Sequence, residues 1–100
     1  MSHSVRLLPL AVEDLIALEA WIAGETDAAI AVSYITRIEQ KIRALSDYPD
    51  RGTPREELAP GLRTLTFERN LIIAYRVQGH EVLVLRIISG RRELSSLFAA

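Results

Sequence analysis

The sequence predicts an α+β domain in the order β-α-α-β-β-β, a helical hairpin packed on one face of an antiparallel sheet, with a short C-terminal tail or helix after the last strand. Three observations carry this. Ala28, Ala31, Ile35, Ile38, Ile42 and Leu45 recur at alternating spacings of three and four, one apolar stripe along a helix. After Pro60-Gly61 the period changes from helical to extended. The three extended runs that follow are joined by short links, which favours neighbouring antiparallel strands.

Ser4 to Leu8 reads as a first strand. Pro9 then suits the first turn of a helix, where its missing N–H costs little. Ala11, Leu15, Leu18 and Ile22 repeat at helical spacing with Trp21 beside them, and Gly24 is a plausible stop. Glu13 and Asp14 read as a solvated helix start, favoured there by the helix dipole. Thr26 or Asp27 caps the second helix, and the few residues between the two helices predict an antiparallel pair. Tyr48-Pro49-Asp50-Arg51-Gly52-Thr53-Pro54 is turn chemistry. Arg63-Thr64-Leu65-Thr66-Phe67 alternates, Leu71 to Val77 is rich in β-formers, Gln78-Gly79-His80 is a hairpin connection, and Val82 to Ile88 returns.

One hundred residues are expected to make one domain spanning 1–100, with a modest core. The composition, 49% apolar and 25% charged, is that of an ordinary globular chain. No apolar run approaches the ~20 residues of a membrane helix, and the start lacks a signal-peptide pattern. With no cysteine there is no disulfide, thiolate or cysteine metal site. A cytoplasmic location is expected, without metal or cofactor. Charge is uneven. Residues 1–60 hold six Lys/Arg against ten Asp/Glu, and residues 61–92 hold six Arg against two Glu. A basic second half suggests an anionic partner surface.

Two features of the sheet stand out. Strict alternation puts Leu71, Ile73, Tyr75 and Val77 on one face and Ile72 and Ala74 on the other. It likewise separates Val82, Val84, Arg86 and Ile88 from Leu83, Leu85 and Ile87. Both faces are apolar, yet two helices cover only one. The other needs the segment Glu93 to Phe98, a second copy, or a dedicated partner. Arg86 also interrupts an apolar set. It requires an internal ion pair, with Glu68 or Glu93 as candidates, or forms part of a basic rim. Catalytic patterns are sparse. There is no nucleotide-binding loop and no nucleophile elbow. His3 reads as part of a frayed terminus and His80 as a turn residue.

The ordered set Arg43-Ala44-Leu45-Ser46-Asp47-Tyr48-Pro49, Arg51-Gly52-Thr53-Pro54, Pro60-Gly61-Leu62-Arg63, Ile73-Ala74-Tyr75-Arg76-Val77 and Arg86-Ile87-Ile88-Ser89-Gly90-Arg91-Arg92-Glu93-Leu94 resembles the ParE toxins of type II toxin–antitoxin modules, within the RelE/ParE superfamily. The likeness runs from about Val5 to Leu97. It implies a non-enzymatic toxin that inhibits DNA gyrase. It also implies a ParD-like antitoxin whose otherwise disordered C-terminal segment wraps the toxin. Candidate antitoxin- or target-binding residues are Arg63, Arg69, Tyr75, Arg76, Arg86, Arg91, Arg92, Leu94, Leu97 and Phe98. The superfamily also contains RelE-like nucleases that cut messenger RNA on the ribosome. Here Ser89 stands where many relatives have histidine, no tyrosine follows Tyr75, and the loop after the second helix lacks lysine. Arginine stays protonated and is a poor proton shuttle. A nuclease built on Arg69, Tyr75 and Arg86 is therefore the alternative reading, and a non-toxic binding homologue is a third.

Overall fold

The computed structural model describes residues 2–68 and 70–89. The elements are β1 (Ser4–Leu7), α1 (Pro9–Glu25), α2 (Ala28–Arg43) with a 3-10 turn at Ala44–Ser46, β2 (Thr53–Pro54), β3 (Leu62–Phe67), β4 (Leu71–Gln78) and β5 (Glu81–Ser89). They make one five-stranded sheet in the order β1-β5-β4-β3-β2. The predicted α+β class and the β3-β4-β5 meander are observed. Two features go beyond the predicted order. A two-residue strand, β2, pairs with β3, and β1 lies parallel to β5. A parallel neighbour needs a long crossover, and the whole of α1 to β4 supplies it.

α1 begins with Pro9 in its first turn and runs one residue past Gly24 before Thr26 closes it, its N–H donating to the Ile22 carbonyl at 2.9 Å. Asp27, rather than Thr26, caps α2. Its carboxylate accepts from the Ile30 N–H at 2.9 Å, and the basic Lys41 and Arg43 fall in the last turn, where the dipole favours them. The stripe read from the sequence is the buried face except for Ala28, which is exposed in the first turn: Ala31, Ile35, Ile38 and Ile42 of α2 are buried, followed by Leu45. They close over Leu71, Ile73, Tyr75, Val82, Val84 and Ile87 of the sheet. His3 is not frayed. Its N–H donates to the Ser46 carbonyl at 2.8 Å, and its own carbonyl accepts from the Ser46 hydroxyl at 2.6 Å.

Strict alternation fails in β5. Tyr75 pairs with Val84 and Ala74 with Arg86, so Leu85 is an extra residue in a β-bulge. The bulge exchanges the faces beyond it. Ile87 joins Val82 and Val84 on the helix-facing side, and Arg86 moves to the far side with Ala74. The arginine therefore does not interrupt the core face.

The far face is not bare. Ala74 is 0% exposed and Ile88 2%. The exposed large apolar residues of the described chain lie instead mainly on the helices: Leu10, Val12, Ile16 and Trp21 of α1, and Ile30 and Val32 of α2. The apolar surface left open is on the hairpin, not the sheet.

Candidate functional site: an apolar groove beside α1

α1 carries apolar side chains on both its inner and its outer face, with Glu13, Asp14 and Glu19 between them. Ala11, Leu15 and Leu18 pack into the core and Ile22 is half-buried, while Ile16 and Trp21 stand about two-thirds exposed, at 63% and 64%. Large apolar side chains grouped in the open on one helix mark a surface that a partner can cover. Beside Trp21 two adjoining hollows of about 300 and 520 Å³ share Leu18, Trp21, Leu71 and Ser89. Ile87 and Asp14 line one end of this groove, and Ile22, Tyr34 and Asn70 line the other. Tyr34 meets Phe67 edge-on, centroids 5.7 Å apart, and the Arg37 guanidinium lies 5.2 Å above its ring. Burial pushes the Tyr34 hydroxyl above its ordinary pKa. A rigid aromatic pair thus borders a groove whose exposed tryptophan has the character of a binding hot spot.

At the Asp14 end, α1 is tied to the sheet. Arg86 Nε and Nη2 donate to the two Asp14 carboxylate oxygens at 2.8 and 3.0 Å. Asp14 also accepts from the Ile87 N–H at 2.9 Å. β1 pairs only with Glu81–Val84, and the Leu8 N–H closes that side on the Val84 carbonyl. Beyond this point the Asp14 carboxylate takes the place of a neighbouring strand on the β5 edge. The two side chains are 16% and 18% exposed, and the carboxylate holds the Arg86 guanidinium above its ordinary pKa. Arg86 is in an internal ion pair, as one reading of the sequence required. Its partner is Asp14, not Glu68, which pairs with Arg37, and Glu93 lies outside the described residues. Asp14 is accordingly not a solvated helix start.

Tyr75 is fully buried. Its hydroxyl donates to the Pro49 carbonyl at 2.8 Å and accepts from the Gly52 N–H at 2.7 Å. Arg63 braces the same turn, donating to the Gly52 and Asp50 carbonyls at 2.7 and 3.1 Å. The tyrosine reaches the turn only because residue 52 is glycine. A Cβ there would stand 2.6 Å from the Tyr75 hydroxyl oxygen. Burial pushes the Tyr75 hydroxyl above its ordinary pKa, more than the Gly52 N–H and Arg63 lower it.

A prediction follows from this clamp. Tyr75→Phe leaves the Gly52 N–H and the Pro49 carbonyl without their partner and lowers stability by about 1–3 kcal/mol near neutral pH. The folded pKa is raised, so the fold holds the phenolic proton more tightly than the unfolded chain does. That stability is complete below the unfolded value of 10.0 and is lost as pH rises toward the folded one. Urea midpoints of both proteins, taken at neutral pH and above about pH 10, test this. The gap between them narrows at the higher pH, and a constant gap refutes the assignment.

The expected site residues therefore separate. Arg63 and Arg86 are engaged inside the fold, and Tyr75 is a buried brace. Arg76 is exposed on β4, its aliphatic stem against Gly61. Arg69, Arg91, Arg92, Leu94, Leu97 and Phe98 lie outside the described residues. Tyr75 and Arg86 do not converge. One pairs with Val84 and reaches the 49–52 turn, and the other pairs with Ala74 and reaches α1. Among the described residues, no group of three or more His, Cys, Asp or Glu is placed to hold a metal ion, and no helix is long and apolar enough to cross a membrane.

The family described as the ParE toxin of type II toxin–antitoxin systems matches residues 5–94. The chain belongs to the ParE toxin family. A relative called Toxin ParE3, from Caulobacter vibrioides, is 37% identical over 67 residues. That stretch covers 67% of this chain and 66% of the relative, just under two thirds of its length. Among solved structures, the chromosomal ParDE system of P. aeruginosa superposes with a TM-score of 0.79 at 27% identity, covering 90% of this chain and 98% of that one. The RelBE2 toxin–antitoxin complex of Mycobacterium tuberculosis superposes with a TM-score of 0.57 at 27% identity, covering 89% and 99%. On this ParE scaffold, the structure adds to the residues singled out from the sequence an exposed Trp21 beside the groove and the Asp14 carboxylate that holds Arg86. The signal for Trp21 was available: Leu10, Val12 and Ile16 fall outside the core stripe of α1.

Proposed function

We propose that this chain is the toxin of a type II module, acts by binding and inhibiting DNA gyrase in the cytoplasm, and is neutralised by a ParD-like antitoxin. The antitoxin's C-terminal segment would fold on the toxin and seat apolar side chains in the groove beside Trp21. The observation that carries this reading is the exposed Trp21 and Ile16 of α1, with the tryptophan rimming a preformed groove, in a chain of the ParE family. A segment that orders on binding needs such a surface to offset its entropy. Inhibition by binding is favoured over RNA cleavage because the Tyr75 hydroxyl is buried and doubly hydrogen-bonded, and Arg86 is held by Asp14. General acid–base catalysis needs a group within reach of the reacting proton.

The test is a gyrase supercoiling and DNA-cleavage assay with the purified chain, run beside messenger-RNA cleavage on programmed ribosomes. Inhibited gyrase or trapped double-strand breaks, with intact message, is the expected result. Cut message with unaffected gyrase overturns it in favour of a RelE-like nuclease. No effect in either assay, together with tight antitoxin binding, marks a non-toxic binding homologue.

A further inference from the structure

We propose that His3 and His80 together chelate one divalent transition-metal ion of the zinc, nickel or copper class, which clips the start of β1 to the β4–β5 hairpin. β1 runs parallel to β5 with Ser4 opposite Glu81, and the Ser4 N–H donates to the His80 carbonyl at 2.9 Å. One step back along both segments, the two imidazoles come together. Their ring centres are 5.8 Å apart and the rings are tilted by 59° rather than stacked. His3 is fixed from a second side by the turn after α2. Its N–H donates to the Ser46 carbonyl at 2.8 Å, and its own carbonyl accepts from the Ser46 hydroxyl at 2.6 Å. The pair is therefore set by backbone pairing across the fold, not by one loop.

Two imidazoles on one tetrahedral ion, each nitrogen about 2.0–2.1 Å from it, have ring centres roughly 5 Å apart. The observed separation lies within a small side-chain rotation of that. His3 Nδ1 is buried and has no hydrogen-bond partner among the described residues. Buried polar atoms are ordinarily paired, and here no described group competes for the lone pair of that nitrogen. The electrostatics also suit a cation, because Ser46 closes the 3-10 turn that continues α2, and the carbonyl end of a helix carries partial negative charge. Imidazole nitrogen selects zinc, nickel and copper, whereas carboxylate and carbonyl oxygens suit magnesium and calcium. Among the described residues no third His, Cys, Asp or Glu completes the set. Water fills the remaining positions, so the ion is exchangeable rather than a closed structural centre. β1 is four residues long and pairs with β5 alone. A clip between positions so distant in sequence removes loop freedom from the unfolded chain and secures this edge strand. The site stands at the Glu81 end of β5 and the groove beside Trp21 at the Ser89 end, so the ion leaves the groove open.

The test uses the untagged full-length chain, so that no added histidines contribute, and Ni²⁺ as the probe with Mg²⁺ in excess. Calorimetric titration is expected to show one ion per chain. His3→Gln and His80→Gln each weaken binding by roughly tenfold or more. His80 is exposed in the hairpin turn, so its replacement leaves the fold intact. The amide signals of Ser4, Ser46 and Glu81 broaden on adding Ni²⁺ while the Trp21 indole signal does not. Free Ni²⁺ at ten times Kd raises the melting temperature of the wild-type chain by roughly 5–10 °C and leaves that of His80→Gln nearly unmoved. No binding at millimolar Ni²⁺ overturns the proposal. Wild-type affinity in His80→Gln shows adsorption on one histidine and also overturns it. Displacement by Mg²⁺ assigns the ion to carboxylates, and one ion shared by two chains assigns it to a bridged dimer; either result refutes the clip. None of these readouts involves gyrase or an antitoxin, so their outcome is separate from that of the proposed function.

Discussion

Asp14→Ala lowers the melting temperature of the free chain by roughly 12–24 °C. The substitution removes three hydrogen bonds at once, two from Arg86 and one from the Ile87 N–H. It leaves a mostly buried guanidinium without its counter-charge, and breaking such a pair by removing one partner costs about 3 kcal/mol or more. In a domain this small the whole margin of stability is about 5–15 kcal/mol, so a single exchange takes a large share. The loss is local in origin. Among the described residues the strand pairing on the outer edge of β5 ends at Val84, and Asp14 is the group that satisfies Ile87 beyond it. Arg86→Met is milder, because Asp14 keeps its hydrogen bond from the Ile87 N–H. Thermal unfolding followed by circular dichroism measures both. A shift of less than about 4 °C for Asp14→Ala would mean that the pair does not anchor α1 to β5.

Trp21→Asp weakens antitoxin binding by roughly 30-fold or more, the effect of removing a hot-spot aromatic worth about 2 kcal/mol. Folding is little changed, because the indole is mostly in solvent in the free chain. The same residue reports on the interaction. It is the chain's one tryptophan, so closure of the groove moves its fluorescence to shorter wavelength. Titration of the wild-type chain with the antitoxin's C-terminal peptide, and of the variant by calorimetry, checks both statements. An unchanged affinity with an unshifted emission removes the groove from the antitoxin interface.

Much of the scaffold was legible from local pattern. The stripe from Ala31 to Leu45 is the buried face of α2 and its following turn, because helical periodicity depends only on residues three and four apart. Leu71, Ile73, Tyr75 and Val77 face the hairpin as simple alternation requires. The candidate site was less legible. Arg63, Arg86 and Tyr75 stood among the candidate binding residues, but what each side chain engages depends on partners far away in sequence: Gly52 and Asp50 for Arg63, Asp14 for Arg86, Pro49 and Gly52 for Tyr75. A charge or a hydroxyl in a strand announces that it needs a partner without naming it.

The sequence by itself determined the α+β class, the helical hairpin, the three-strand meander and the family, since each is written in short-range spacing or in ordered local motifs. The tertiary structure decided which side of the sheet Arg86 occupies, where β1 pairs, and which apolar surface is left open. The physical reason is the same for all three. The bulge at Leu85 is a property of two paired strands, the parallel edge is a property of strands some 77 residues apart, and exposure is a property of what is stacked above a surface. A single strand's alternation cannot encode an extra residue that its partner lacks, and one such residue moved an arginine from the expected core face to the carboxylate that anchors α1.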